Sequence, residues 1–107
     1  GDGESGCTAV ECPMNEVRIR LNIQDGNFGS PVADTPGGWI TFGFSENLTD
    51  ASYEALSNMA RLLERLYGCE YREALALCSV AVNLRITQIV NGIRGVHAIL
   101  PKGSIFL

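Results

Sequence analysis

Apolar and polar residues alternate strictly in one stretch of this chain and recur at helical spacing in two others. Between residues 16 and 24, Val17, Ile19, Leu21 and Ile23 alternate with Arg18, Arg20, Asn22 and Gln24. That period predicts a half-buried strand with one polar face, ended by the turn Asp25-Gly26-Asn27. Residues 27–38 are rich in Gly, Pro, Asp and Ser and read as an irregular loop. Residues 38–44, GWITFGF, form a β-favouring run in which Gly43 suggests a bulge or a close backbone approach. Trp39, Phe42 and Phe44 are expected in the core or an interface.

The spacing then becomes helical. Tyr53, Leu56, Ala60, Leu63 and Tyr67 align on one face of a helix predicted over residues 49–67, and Met59, Leu62 and Leu66 widen that face. Thr49 is the expected N-cap, Asp50 suits the first turn, and Gly68 is the expected stop. A second helix is predicted over residues 71–83. It carries Ala74, Leu75, Leu77, Cys78, Ala81 and Val82, is apolar nearly all round, and so should be buried, against a second subunit or a further domain.

Two short Val/Ile/Thr runs follow, 86–90 and 96–100, with Asn91-Gly92-Ile93-Arg94-Gly95 between them as a turn. Residues 7–11 read as a short strand, and the apolar tail 103–107 should be packed. The order is strands, then two helices, then strands. This is an α+β fold with the helices on one face of a mixed or antiparallel sheet.

The 107 residues suffice for one domain spanning residues 1–107. The net charge is −4 and the basic residues are scattered, which argues against a nucleic-acid surface. No apolar run approaches the ~20 residues of a membrane-spanning helix. No basic, apolar leader is present, and a chain opening on Gly1 reads as a piece of something longer. The four cysteines form no C-x-x-C pair, so a structural zinc site is not expected. Cys78, in an apolar run, reads as a buried small hydrophobe. Free thiols point to a cytoplasmic protein.

Candidate chemistry lies at the two ends of the chain. Asp2 and Glu4 sit in a glycine-rich loop, either as a solvated terminus or as a carboxylate pair for acid–base work or metal binding. Residues 84–102 hold the only His, His97, the only Lys, Lys102, and the amides Gln88 and Asn91. Polar groups among apolar strands are either satisfied core groups or parts of a site.

The residue strings resemble a known family. Gly1-Asp2-Gly3-Glu4 followed by Thr8-Ala9-Val10-Glu11 is similar to a signature of the acetamidase/formamidase family. So are Thr35-Pro36 with Trp39-Ile40-Thr41-Phe42-Gly43-Phe44, the stretch Leu84-Arg85-Ile86-Thr87-Gln88-Ile89-Val90-Asn91-Gly92, and Gly95-Val96-His97-Ala98. The motifs occur in family order along the whole chain, but they correspond only to the C-terminal part of family members. The resemblance implies hydrolysis of a small amide, formamide or acetamide, to ammonia and a carboxylate. It implies Asp2, Glu4 and His97 as catalytic residues, Asp2 and Glu4 as ligands for a divalent metal ion, and Gln88 and Asn91 as substrate contacts. Cys7, Glu4 and Lys102 offer a second, nucleophilic set, provided they come within hydrogen-bond reach. The alternative is a non-catalytic fragment or assembly domain that completes a site only with an N-terminal partner half. The expected partners are thus a small amide and either a second copy or that half, with no nucleic acid and no membrane.

Overall fold

The computed structural model describes residues 4–6 and 13–106. Two strands, β1 (Val32–Thr35) and β2 (Gly38–Ser45), precede two helices, α1 (Leu48–Tyr67) and α2 (Tyr71–Ala81). The strands β3 (Asn83–Gln88) and β4 (Arg94–Pro101) follow. They form one four-stranded antiparallel sheet in the order β1-β2-β4-β3. The helices cover one of its faces, as the α+β expectation requires.

Residues paired across strands share a face. Thr41 lies opposite Ala98 and Gly43 opposite Val96. These residues face α1, and Leu84 and Ile86 of the neighbouring strand lie on the same side of the sheet. The core consists of Val96, Ala98 and Leu100 from β4 with Ala51, Ala55, Met59, Ala60, Leu62 and Leu63 from α1 and Ala74 and Cys78 from α2. A fully buried Leu such as Leu63 contributes about 1.5–3 kcal/mol through its transfer from water.

α1 is fastened to β2 by polar stitches as well as by packing. Thr41 Oγ1 donates to the Ala55 carbonyl at 2.9 Å, Asn58 Nδ2 donates to the Phe42 carbonyl at 2.8 Å, and Phe44 N–H donates to Glu54 Oε2 at 2.7 Å. Gly43 sits between these stitches, and its pairing with Val96 is unbroken. The close approach expected there is therefore to the helix, and no bulge forms.

Several expectations are corrected. The α1 cap is Asn47, not Thr49: Asn47 Oδ1 accepts from the N–H groups of Thr49 and Asp50 at 2.8 and 3.2 Å. Gly68 ends the helix in the left-handed region, φ 67°, as expected. The buried face of α1 runs through Ala51, Ala55, Met59 and Leu62. Tyr53, placed on that face by its spacing, is 69% exposed. Small residues lead at the sheet because the contact at Gly43 leaves no room for larger ones. α2 stops at Ala81, and Asn83 already belongs to β3. Only Ala74 and Cys78 of α2 are buried, while Leu75 and Val80 stay exposed, so the described residues leave an apolar helix largely uncovered.

Residues 27–38, expected as loop, contain β1. It pairs with β2 through the two-residue turn Pro36-Gly37, whose ends are tied by Thr35 Oγ1 donating to the Gly38 carbonyl at 2.7 Å. Residues 16–24 are not a strand here. All are exposed, and the Arg18 guanidinium pairs with its neighbour Glu16, at 2.6 Å. Alternation supplies an apolar face, but a strand also needs a hydrogen-bonded partner, and no described strand pairs with these residues. In the tail, Ile105 packs on the core while Phe106 is exposed. The short strand expected at residues 7–11 lies outside the described residues.

Candidate active site

The sheet has a second face, which neither helix covers. Phe42 of β2, His97 of β4 and Arg85 of β3 stand side by side on it in register. Phe44 and Gln88 flank Gly95 in the next row. His97 is 8% exposed, and its ring lies 6.3 Å from that of Phe42 at a tilt of 43°.

The feature that completes this row is a bulge in β3. Pairing runs Ile86 to Val96 and then Gln88 to Gly95, so Thr87 is the extra residue. A bulge re-aims the side chain it carries. Here Thr87 Oγ1 comes within 2.8 Å of His97 Nδ1. If the hydroxyl accepts from Nδ1–H, Nε2 is left as a base; if it donates, Nε2 carries the proton. Gly95 makes the room. A Cβ there would stand 3.0 Å from both the Thr87 Cβ and the Phe44 ring.

The N-terminal motif arrives at the same bulge from outside. Glu4 forms a parallel bridge with Gln88: Glu4 N–H donates to the Thr87 carbonyl and Ile89 N–H to the Glu4 carbonyl, both at 3.0 Å. The backbone of Glu4 is thus bonded to the residue whose side chain holds His97. The carboxylate belongs to an exposed residue.

Glu4 and His97 are joined through Thr87. Asp2 lies outside the described residues, as do Cys7 and Cys12. Gln88 Nε2 donates to the Ile93 carbonyl at 2.9 Å, so its amide helps to close the turn. Asn91 is exposed at the turn's tip, in the left-handed region with φ 66°. Lys102 is at the opposite edge of the sheet, paired with Asp34 of β1 at 2.5 Å and lying over the Trp39 ring at 4.4 Å. Glu4 and Lys102 therefore do not meet, and the Cys7–Glu4–Lys102 set is not assembled. Among the described residues no three His, Cys, Asp or Glu gather as metal ligands. Thr87, Phe42 and Gly95 were not singled out for roles; only the strand register brings them to His97.

Cys78 shows what burial does to a thiol. It is 4% exposed, and burial, with a smaller contribution from Cys69, pushes its pKa from 9.0 up to about 11. The thiolate is the reactive species, so in the folded protein Cys78 should resist alkylation at mildly alkaline pH and react only on unfolding. Between about 9 and 11 the folded thiol keeps a proton that the unfolded one has lost. Stability should therefore fall as pH rises through that window. Alkylation followed by mass spectrometry, with and without urea, checks the first point; a Cys78 labelled as fast in native buffer as in urea would refute it.

No family model matches the chain, and no curated protein does. Four chains of solved structures match. One is the crystal structure of an acetamidase from Bacillus halodurans, with a TM-score of 0.62 and 31% sequence identity, covering 66% of this chain and 24% of that one. The described fold is thus acetamidase-like, and the chain spans about a quarter of that structure's length. Among the described residues no helix is long and apolar enough to cross a membrane.

Proposed function

We propose that this chain carries part of the active site of an amide hydrolase that cuts a small linear amide, formamide or acetamide, to ammonia and a carboxylate. The observation that carries the reading is the junction at Thr87, where the Glu4 backbone and the His97 ring meet on an acetamidase-like fold. Amide hydrolysis needs a base for the attacking water, a group for the oxyanion and an acid for the leaving amine. A neutral His97 held through Nδ1 presents Nε2 to take a proton from water and return it to the amine. Glu4 is the second acid–base group. Gln88 and Asn91 are the proposed amide contacts, Gln88 by way of its carbonyl oxygen.

Asp2 and Glu4 are our proposed ligands for a divalent cation, whose oxygen-ligand chemistry they suit. Among the described residues the donors alone do not complete a coordination set. The second reading, a non-catalytic fragment completed by a partner half, is favoured by one finding: the chain covers only 24% of the acetamidase it resembles.

The test is ammonia release from formamide and acetamide by the 107-residue chain, alone and mixed with a polypeptide supplying the rest of an acetamidase. Activity of the chain alone means that it holds a complete site, activity only in the mixture means that its site is completed by a partner half, and none in either rejects the hydrolase assignment. In the active preparation Glu4→Gln should lower kcat ~100-fold or more. It should shift stability by less than ~0.5 kcal/mol, the usual range for an exposed position. Unchanged hydrolysis would remove Glu4 from the site, and unfolding would make its carboxylate a structural acceptor.

A further inference from the structure

The tip of the turn between β3 and β4 joins two groups that can react with each other. Of the asparagines in the chain, only Asn91 is followed by glycine. The side-chain amide carbon of Asn91 and the backbone nitrogen of Gly92 lie the right number of bonds apart to close a five-membered ring. Closure within one chain needs no second molecule to be brought up, and proximity of this kind greatly speeds a reaction. Glycine has no Cβ to shield the attacking nitrogen, and asparagine counts among the thermolabile residues.

The fold leaves both groups available. Asn91 and Gly92 are exposed and sit in the left-handed region, with φ 66° and 79°. The hydrogen bonds around the turn run elsewhere. Gln88 Nε2 donates to the Val90 and Ile93 carbonyls at 3.4 and 2.9 Å, and Arg94 Nη1 donates to the Gly92 carbonyl at 2.9 Å. Among the described residues the Gly92 N–H donates to no backbone carbonyl. A Cβ at Gly92 would meet nothing within 4 Å, so the space beside it is open. Other asparagines are engaged. Asn27 and Asn47 accept from backbone N–H groups through Oδ1, and Asn58 Nδ2 donates to the Phe42 carbonyl. Charge favours the reaction too. It begins when the Gly92 nitrogen loses its proton, and a nearby cation stabilises the anion that forms. Arg94, bonded to the same residue, is that cation.

We propose that Asn91 is a site of spontaneous deamidation. A base from solvent takes the Gly92 amide proton, the nitrogen bonds to Asn91 Cγ, and the side-chain nitrogen leaves as ammonia. The succinimide so formed then adds one water. Opening its bond from nitrogen to the side-chain carbonyl carbon gives aspartate. Opening its bond to the backbone carbonyl carbon gives isoaspartate, whose main chain is longer by a methylene. In balance one water enters and one ammonia leaves. The new carboxylate forms beside Arg94. The isoaspartyl form lengthens a turn that the Gln88–Ile93 bond ties across, so that tie is what the added methylene disturbs. The inference rests on the geometry of the turn and not on the hydrolase reading.

The test is to incubate the full chain in warm, mildly alkaline buffer and follow its peptides by mass spectrometry. Replacement of NH2 by OH should appear at Asn91 first, as two products that chromatography separates. Conversion should be at least ~10-fold faster there than at the exposed Asn27, a barrier lower by about 1.4 kcal/mol. Asn91→Gln, which would have to close a larger ring, should lose the conversion at that position. A chain that keeps Asn91 intact overturns the proposal. So does one that converts Asn91 only in urea, because the fold would then block the attack, or no faster than Asn27.

Discussion

Gly43→Ala is expected to destabilise this fold by about 3 kcal/mol or more, at the upper end of what overpacking a core costs. A Cβ at Gly43 would lie 2.1 Å from the Ala51 carbonyl oxygen, 2.5 Å from the Ala55 nitrogen and 2.9 Å from the Glu54 Cβ. Two of these atoms are helix backbone, so no side-chain rotation relieves the clash. Either α1 lifts from the sheet or β2 bends away from β4. Lifting α1 stretches the bonds from Thr41 to Ala55 and from Asn58 to Phe42. It also opens the layer of Ala51, Ala55 and Met59 against Val96 and Ala98. A domain of this size holds only ~5–15 kcal/mol in total, so one methyl group removes a large share. Gly37→Ala is the control: its added Cβ would meet nothing nearer than Thr35 Oγ1, at 3.9 Å. Urea denaturation should give Gly37→Ala a midpoint near wild type and Gly43→Ala a much lower one with the same slope. Equal midpoints would mean that the helix yields without cost, and the contact would lose its place at the centre of the fold.

Periodicity made much of this architecture legible. Apolar residues at helical spacing located both helices, Gly68 marked the end of the first, and Gly43 within an apolar strand signalled close approach. The branched runs on either side of Asn91-Gly92 became β3 and β4, with both turn residues at positive φ. The corrections share a cause: each depended on something distant in sequence. Thr49 and Asn47 are both chemically good caps, and which one starts the helix is set by where β2 leaves off. Tyr53 fits the helical spacing as well as Ala55 does, but only the approach at Gly43 decides which arc of α1 turns inward. β1 hid in a Gly/Pro-rich stretch because its strand is short and its turn supplies the composition. Residues 16–24 carry a strand pattern whose pairing partner the described chain does not contain. The resemblance placed Glu4 and His97 in one site, but Thr87, which links them, was not legible. His97 and Glu4 are far apart in sequence, and Thr87 reaches His97 only because the register slips by one residue between Ile86 and Gln88.

Thr87→Val is expected to lower kcat for amide hydrolysis by about tenfold while leaving KM little changed, and His97→Gln should cost ~100-fold or more, the range for an acid–base group. Valine keeps the shape of threonine but removes the hydroxyl that lies 2.8 Å from His97 Nδ1. His97 is 8% exposed, so water does not readily replace the lost partner. The ring then holds neither one tautomer nor one orientation, and Nε2 is a catalyst only part of the time. Leaving a buried polar atom unsatisfied also costs ~1–3 kcal/mol of stability. In the proposed mechanism Thr87 is a positioning residue, acting through the imidazole and not on the substrate. The chain has one histidine, so its imidazole nitrogens give a single, assignable pair of ¹⁵N signals. In the wild type these should report one dominant tautomer, in Thr87→Val a mixture, and in Thr87→Ser, which restores the hydroxyl, the wild-type pattern with recovered kcat. This readout needs no turnover, so it tests the contact even if the chain hydrolyses amides only with a partner half. A Thr87→Val protein with wild-type kcat and unchanged ¹⁵N shifts would reduce the Thr87–His97 contact to packing, and the junction at the β3 bulge would no longer mark an active site.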